Sequence, residues 1–530
     1  MLQTKRGYAG MVTAPHHLAA QAGLEVLRDG GNAIEAMIAA AATIAVVYPH
    51  MNGLGGDGFW LIGRSGEVPT AIRACGRSAA LASRDWYRGQ GVSQIPSRGP
   101  LAALTVAGTV AGWQSALALS RERHGGRLPL GRLLEHAIRH AADGVPVPRT
   151  LHENARNKIA ELRDVPGFAD VYLEDGSPPA VGSRLRQERV AATLERLAEA
   201  GLGDFYRGDL ARSLARDLEA AGSPIRLPDL EEHEAPVVAP LGVNVGRHKV
   251  YNLPPPTQGL ASLLLLALYD RVAAEEADGV AHVHRLVECT KAAFQVRDRN
   301  VTDPDYMKCP ATSSLDARSI DALAARISKE KAAPWPHPSE PGDTVWLAAA
   351  DGQGLVVSFI QSIYWEFGSG LVLPASGVTW QNRGTSFSME ADHLNRLEPR
   401  RLPFHTIQPA MAELSDGRLM AYGTMGGEGQ PQSQAAIFTR HVLYGQELQA
   451  AVTAPRWLLG RTWGEEATNL KLEARFDEEV VAGLEQRGHD LVVVGPFEEM
   501  MGHAGAIVRH PDGLLEGASD PRSDGVVAVR

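Results

Sequence analysis

The sequence predicts an α+β fold with helices packed on sheets, and two observations carry that reading. Residues 110–300 read mostly as helices, broken at Pro146, Pro148, Pro166 and the PPP run at 254–256. After Thr344 the pattern turns strand-like: TVWLAAAD, a DGQG turn and LVVSFIQS read as a β-hairpin. A mainly helical first part followed by a strand-rich last part is the pattern of helices layered on sheets. No internal repeat is visible.

Taken in order, HHLAAQAGLEVLRD carries apolar residues at helical spacing and ends at Gly30-Gly31, a stop signal. Asn32 is placed to cap the next helix. That helix, IEAMIAAAATIAVV, is apolar almost all round and therefore reads as buried. NGLGGDGFW (52–60) and a strand-like LIGR follow. Gly53, Gly55, Gly56 and Gly58 come after a helix and before a strand, the reverse of a phosphate-cradling order. They read instead as a tight turn where backbones approach closely. Later, LMAYGTMGG (419–427) reads as a strand ending in a glycine turn, and NLKLEARF and GVVAVR are further strand candidates.

Composition bounds the function. A chain of 530 residues has room for a large core or for about two to four domain-sized pieces. A formal net charge of −10 argues against nucleic acid or an anionic membrane as a main partner. The three cysteines, Cys75, Cys289 and Cys309, cannot all pair, which suits a reducing compartment. The N-terminus has no apolar core of signal-peptide length. The longest apolar runs, near 36–47 and 260–269, fall short of the roughly 20 residues that span a bilayer. The chain reads as cytoplasmic, a precursor with its signal already removed being the alternative. HAIRH puts His136 and His140 on one helix face, but without the Glu of a zincin or any CxxC. That face reads as solvated, and the sequence calls for neither metal nor cofactor.

Thr344 is the residue with the most chemical content. It follows ISKEKAAPWPHPSEPGD (327–343), a segment rich in Pro and charge that has little to bury and reads as loose and exposed. A break between Asp343 and Thr344 would give Thr344 a free α-amino group beside its own hydroxyl. Such an amine, with a pKa of roughly 7.7–8.0, can serve as base for the hydroxyl. Gly426-Gly427, at a strand end, can present two backbone N–H groups to an oxyanion or can be a simple turn. Arg77 in ACGRSA is a candidate carboxylate clamp or a surface arginine. His405 in PFHT is a site residue or a buried histidine satisfied by backbone.

Together these segments resemble the γ-glutamyltransferase family of N-terminal-nucleophile hydrolases. The likeness spans nearly the whole chain, from DGGNA…GLGGDGF through TVAGTVAGW, GDTVWLAAADGQG, FGSGLVLPASG and GTMGGEGQPQ to GASDPRSDG. It implies a four-layer αββα sandwich and self-cleavage before Thr344 into a large chain, 1–343, and a small chain, 344–530. It implies attack by Thr344 on an amide carbonyl, an acyl-enzyme, and Gly426 and Gly427 as the oxyanion hole. Ser362 stands where the family usually has a second threonine and would support the nucleophile. The two subunits from one precursor leave open a dimer of heterodimers.

The departures from the family pattern bear on substrate. The family's arginine position falls on or near Cys75, with Arg77 two residues on; its acidic positions are Ser386 and Ala375. Its amide position is Tyr364, and its serine pair is replaced around Pro403, Phe404 and His405. A buried ammonium without a partner costs several kcal/mol, so a γ-glutamyl amine is poorly served here. Arg77 or Arg383 remains to bind a carboxylate. YWEFGSG, PFHT and LLGRTWG (458–464) are similar to a hydrolase branch that includes the oxamate amidohydrolases, which release ammonia from a small acidic amide. The expectation is therefore a small-amide amidohydrolase. A γ-glutamyltransferase or glutathione hydrolase is the second reading, and an unprocessed pseudoenzyme acting as a binding protein is the third.

Overall fold

The computed structural model describes residues 2–337, 342–460 and 467–530. Two seven-stranded antiparallel sheets lie face to face. The first runs Val526–Val529, Gly10–Ala14, Asp343–Asp351, Val356–Tyr364, Asp57–Gly63, Thr70–Ala74, Val237–Val238. The second runs Lys5–Gly7, Leu515–Ser519, Ala504–Arg509, Leu419–Thr424, Ala410–Glu413, His248–Asn252, Leu241–Val245.

Side-chain alternation sorts the strands into layers. Along Asp343–Asp351, Val345, Leu347 and Ala349 enter a core shared with the first helices, while Trp346, Ala348 and Ala350 enter the core between the sheets. Along Leu419–Thr424, Leu419 and Ala421 face the same inter-sheet core, whereas Met420 and Tyr422 face the second helical layer. Both faces of these strands are covered, which explains their near-continuous apolar sequence. Ala33–Val47 covers the first sheet, and Gly259–Val272 and Gln430–Phe438 cover the second. The layers are α, β, β, α, as expected.

Local chemistry fixes the elements that carry Thr344. Asn32 caps Ala33–Val47 by accepting from the Ile34 and Glu35 nitrogens at 3.0 Å each, and Glu35 Oε2 accepts from the Asn32 nitrogen at 3.0 Å. All fifteen residues of this helix are buried. At the hairpin turn, Asp351 Oδ1 takes the N–H groups of Gln353 and Leu355, and its Oδ2 takes that of Ala33 at 3.0 Å. The turn that aims the hairpin is thus tied to the helix that covers it. Glycines are required where chains nearly touch: a Cβ at Gly56 would stand 2.2 Å from the Ser362 carbonyl oxygen, and one at Gly55 2.2 Å from that of Thr379.

Two expectations need correction. The first part is less purely helical than its sequence suggests, because seven strands of the two sheets precede residue 343. They are short or sit beside long helices, so their period is hard to see. Both sheets therefore draw strands from each side of Asp343–Thr344. NLKLEARF does form a strand, Leu470–Glu473, as expected, and it belongs to a separate small sheet. His136 is buried, its Nε2 2.7 Å from Glu25 Oε2, where a solvated face was expected. Arg461–Gly464 of the LLGRTWG segment and residues 338–341 of the linker lie outside the described residues. No described helix is long and apolar enough to cross a membrane.

Candidate active site

The two strands of the central hairpin fall out of step at Thr344. Asp343 pairs with Tyr364, but Val345 pairs with Gln361, so one residue on one strand faces two on the other. A bulge of this kind bends a strand and re-aims a side chain. Its product is a convergence of hydroxyls on one peptide bond. Thr344 Oγ1 donates to the Asp343 carbonyl oxygen at 2.5 Å, and Ser362 Oγ donates to the same oxygen at 2.5 Å. Ser362 Oγ in turn accepts from the Tyr364 backbone N–H at 2.8 Å, which orients its own proton toward Asp343. Tyr364 has φ +82°, a strained conformation for a bulky residue. A carbonyl held by two hydroxyls is polarised, and one of them is placed to become its attacker.

The Asp343 side chain completes this arrangement. Its Oδ1 accepts the Thr344 N–H at 2.8 Å, and its Oδ2 is buried with no hydrogen-bond partner among the described residues. Burial, and then the charges of Glu366 and Glu499, hold its carboxyl pKa well above the usual range. Glu499 is pushed up to about 8 by burial and then by Glu366. Glu366 Oε1 and Glu499 Oε1 are likewise buried without a hydrogen-bond partner among the described residues.

The glycine turn lies against this bond. Gly426 has φ +115° and Gly427 φ +50°, both in the region that favours glycine, and Gln430–Phe438 begins just beyond. A Cβ at position 427 would stand 3.1 Å from the Gly342 nitrogen and 3.2 Å from its Cα and oxygen. The chain just before Asp343 therefore rests on Gly427. The turn is held from behind. Gln258 Nε2 donates to the Gly427 oxygen at 2.8 Å and to the Thr406 oxygen at 2.6 Å. Arg297 donates to Gln258 Oε1 at 3.0 Å and to Glu428 Oε1 at 2.8 Å. Sequence reasoning missed Gln258, Arg297 and Glu428, although Glu428 directly follows the glycine pair. It also missed Asp57, Glu366 and Glu499. The first two of these lie inside GLGGDGF and YWEFGSG, segments that the resemblance already singled out.

On the other side stands a cation. Arg383 is 1% exposed, its guanidinium carbon 3.5 Å from the centre of the Tyr364 ring. That ring reaches Gly342: a Cβ there would be 3.4 Å from Tyr364 Cε2. Ser386 donates to the Arg383 oxygen at 3.0 Å and lines a cavity of about 190 Å³ with Arg297, Phe404 and Glu428. Ala375 is exposed and brings no acidic group.

His405 is buried, with Nδ1 2.9 Å from the Pro403 oxygen and Nε2 2.8 Å from Asp57 Oδ2. Burial and the neighbouring Arg383 push its imidazole pKa down. Asp57 Oδ1 also takes the N–H groups of Gly108 and Gly76, at 3.0 and 3.3 Å. His405 is thereby joined to the loops beside the site. Arg77 is turned to Asp303 and Asp305, at 3.1 and 3.2 Å, and to the Arg400 carbonyl at 2.9 Å. Cys75 is buried, and desolvation pushes its thiol pKa up.

Among the described residues, one group brings metal-ligand atoms together: His284, Glu288 and His489, within 4.8 Å of one another. Most of their polar atoms are already engaged. His284 Nδ1 is 2.8 Å from His489 Nε2 and its Nε2 3.0 Å from the Ser328 oxygen. Glu288 takes the Lys291 ammonium at 2.7 Å and the Ala333 N–H at 3.0 Å.

Comparison with known proteins finds clear relatives of the chain. The family model described as Gamma-glutamyltranspeptidase matches residues 19–530. The chain is 53% identical over 519 residues to the oxamate amidohydrolase proenzyme of Klebsiella pneumoniae subsp. pneumoniae, covering 98% of each chain. It is 40% identical over 525 residues to the glutathione hydrolase-like YwrD proenzyme of Bacillus subtilis, again covering 98% of each. The solved cephalosporin acylase from Bacillus halodurans superposes with a TM-score of 0.91 at 33% identity, over 100% of this chain and 97% of that one.

Proposed function

Because the chain belongs to the gamma-glutamyltranspeptidase family, we propose that it is a self-processing amidohydrolase whose nucleophile is Thr344. Hydrolysis is the chemistry its relatives are named for, and the amidohydrolase class follows from them. The observation that carries the finer reading is the pair of hydroxyls, Thr344 and Ser362, at 2.5 Å from one carbonyl oxygen. In the precursor the Asp343–Thr344 peptide is the amide that Thr344 attacks. Cleavage would yield a large subunit, 1–343, and a small subunit, 344–530, that remain one αββα unit because both sheets take strands from each.

In the processed enzyme the Thr344 amine would take the hydroxyl proton as Oγ1 attacks the substrate amide carbon. Gly426 and Gly427 N–H groups would hold the oxyanion, aided by the positive end of Gln430–Phe438. Ammonia would leave, and water would release the acid from the acyl-enzyme.

The substrate we infer is a small carboxylated amide such as oxamate, giving oxalate and ammonia. Arg383 supports this as a buried cation beside Tyr364 and Gly342. The positions where the family carries acids for a γ-glutamyl ammonium are Ala375 and Ser386, neither of which can pair with that charge. Purified protein analysed by mass spectrometry, then assayed for ammonia release from oxamate and for glutathione cleavage, tests the reading. Fragments beginning at Met1 and Thr344, with turnover of oxamate alone, are expected. Cleavage of glutathione without ammonia from oxamate would return the protein to the γ-glutamyl enzymes.

A further inference from the structure

We propose that Asp343 catalyses its own release: its carboxyl, 2.8 Å from the Thr344 nitrogen, protonates that nitrogen as the Asp343–Thr344 bond breaks. This inference rests on the reading of Thr344 as the processing nucleophile and assigns the acid which that reading lacks.

A peptide nitrogen leaves poorly unless it receives a proton. The hydroxyls nearest the bond are committed elsewhere, since Thr344 Oγ1–H and Ser362 Oγ–H both point to the carbonyl oxygen. The Asp343 carboxyl is the acidic group in hydrogen-bond contact with the nitrogen. It is 1% exposed, and its second oxygen has no hydrogen-bond partner among the described residues. The groups facing it are acids from three other elements: Glu366 beyond the hairpin, Glu499 before Ala504–Arg509, and Tyr48 at the end of Ala33–Val47. The Arg98 guanidinium lies 3.9 Å from Glu366. His503, 3.5 Å from Glu499, is kept neutral by burial, its pKa lowered to about 4. Such surroundings disfavour the charged form of the Asp343 carboxyl and so favour its proton-bearing form.

The step balances as follows. Thr344 Oγ1 bonds to the Asp343 carbonyl carbon, and the carbonyl oxygen takes the electron pair together with the hydroxyl proton along their hydrogen bond. The nitrogen loses amide planarity and gains a lone pair. Rotation of the carboxyl about Cβ–Cγ brings its O–H opposite that lone pair. As the C–N bond breaks, the nitrogen takes the carboxyl proton, and the new carboxylate removes the proton from the re-forming C=O. An ester and a free amine result with no net proton exchanged, and water then hydrolyses the ester.

The test follows cleavage of the full-length chain made by cell-free synthesis and shifted to buffers from about pH 5.5 to 9, wild type beside Asp343→Asn and Asp343→Glu. Positioned acid–base groups typically contribute about 10²–10⁴ in rate. Asn keeps an oxygen for the Thr344 N–H but carries no acidic proton, so cleavage at pH 7 should slow at least about 100-fold. Wild-type cleavage should fall as pH rises through the carboxyl pKa, and that alkaline fall should vanish in Asp343→Asn. Thermal melting of uncut Thr344→Ala and Asp343→Asn/Thr344→Ala chains reports folding. If the Asn form folds less stably, the Glu form decides, and cleavage no faster than Asn overturns the role. Near-wild-type cleavage of Asp343→Asn, or an unchanged alkaline fall, also overturns it. A wild-type chain that never splits fails differently, removing the self-processing reading and this role with it.

Discussion

Ser362→Ala separates chemistry from folding at the processing bond. Two hydroxyls meet at the Asp343 oxygen at 2.5 Å, but Thr344 Oγ1 gives up its contact when it becomes the attacking atom. Ser362 is then the hydroxyl left to steady the negative charge that builds on that oxygen before the Thr344 proton is fully transferred to it. Removing one such donor costs about 10²–10³ in rate, or about 2.7–4 kcal/mol of barrier. A smaller stability cost accompanies it, because the buried Tyr364 N–H loses its acceptor at 2.8 Å, worth about 1–3 kcal/mol. The assay is conversion of the full chain to two fragments over time, read on denaturing gels, with melting of the uncut chain alongside. Ser362→Ala should persist as precursor for at least about 100 times longer than wild type. Ser362→Thr, which keeps the hydroxyl, should process. An alanine variant that splits at the wild-type rate would refute the assignment of Ser362 as an oxyanion donor.

Other outcomes follow from the same geometry. Thr344→Ala should remain one 530-residue chain without amidase activity, and fragments from it would sink the mechanism. Arg383→Ala should raise KM for a carboxylated amide, while an unchanged KM would remove Arg383 from the substrate site. Arg77→Ala should chiefly lower the melting temperature, since it takes the paired cation from the fully buried Asp303 and leaves it with backbone donors alone. A large KM effect at wild-type stability would restore Arg77 as a clamp. Stability should also fall on acidification between about pH 6.5 and 4. Burial lowers the pKa of His16 and His282 to about 3 and of His233 and His503 to about 4. Unfolding lets each bind a proton below its ordinary pKa, removing about 1.4 kcal/mol per pH unit per proton. Glu499, raised to about 8, and Asp343, raised well above its usual range, work the opposite way but are outnumbered. Calorimetry showing a flat melting temperature across this window would contradict the buried neutral histidines.

Much of the candidate site was legible because its parts are local. Thr344 at a strand start after a Pro-rich segment, the Gly426-Gly427 turn and the Asn32 cap each declare themselves within a few residues. Tyr364 and Arg383 came from departures within recognisable segments, and they stack in the fold. Arg77 was chosen for the same reason, but its partners Asp303 and Asp305 lie over 200 residues away, and no local pattern announces them. Gln258, Arg297 and Glu428 form one buried network from three distant segments, so they carry no shared signal in sequence.

The sequence by itself determined the family and the layering of helices on sheets, and it suggested the bond proposed to be cut, because motif spacing and hydrophobic period act over short stretches of chain. Tertiary structure alone decided which groups act on that bond. A one-residue slip between two strands turns Thr344 and Ser362 to the same oxygen. Packing from three other elements surrounds Asp343 with acids. Register and dielectric surroundings arise from contacts between residues far apart in the chain, and only folding sets those distances.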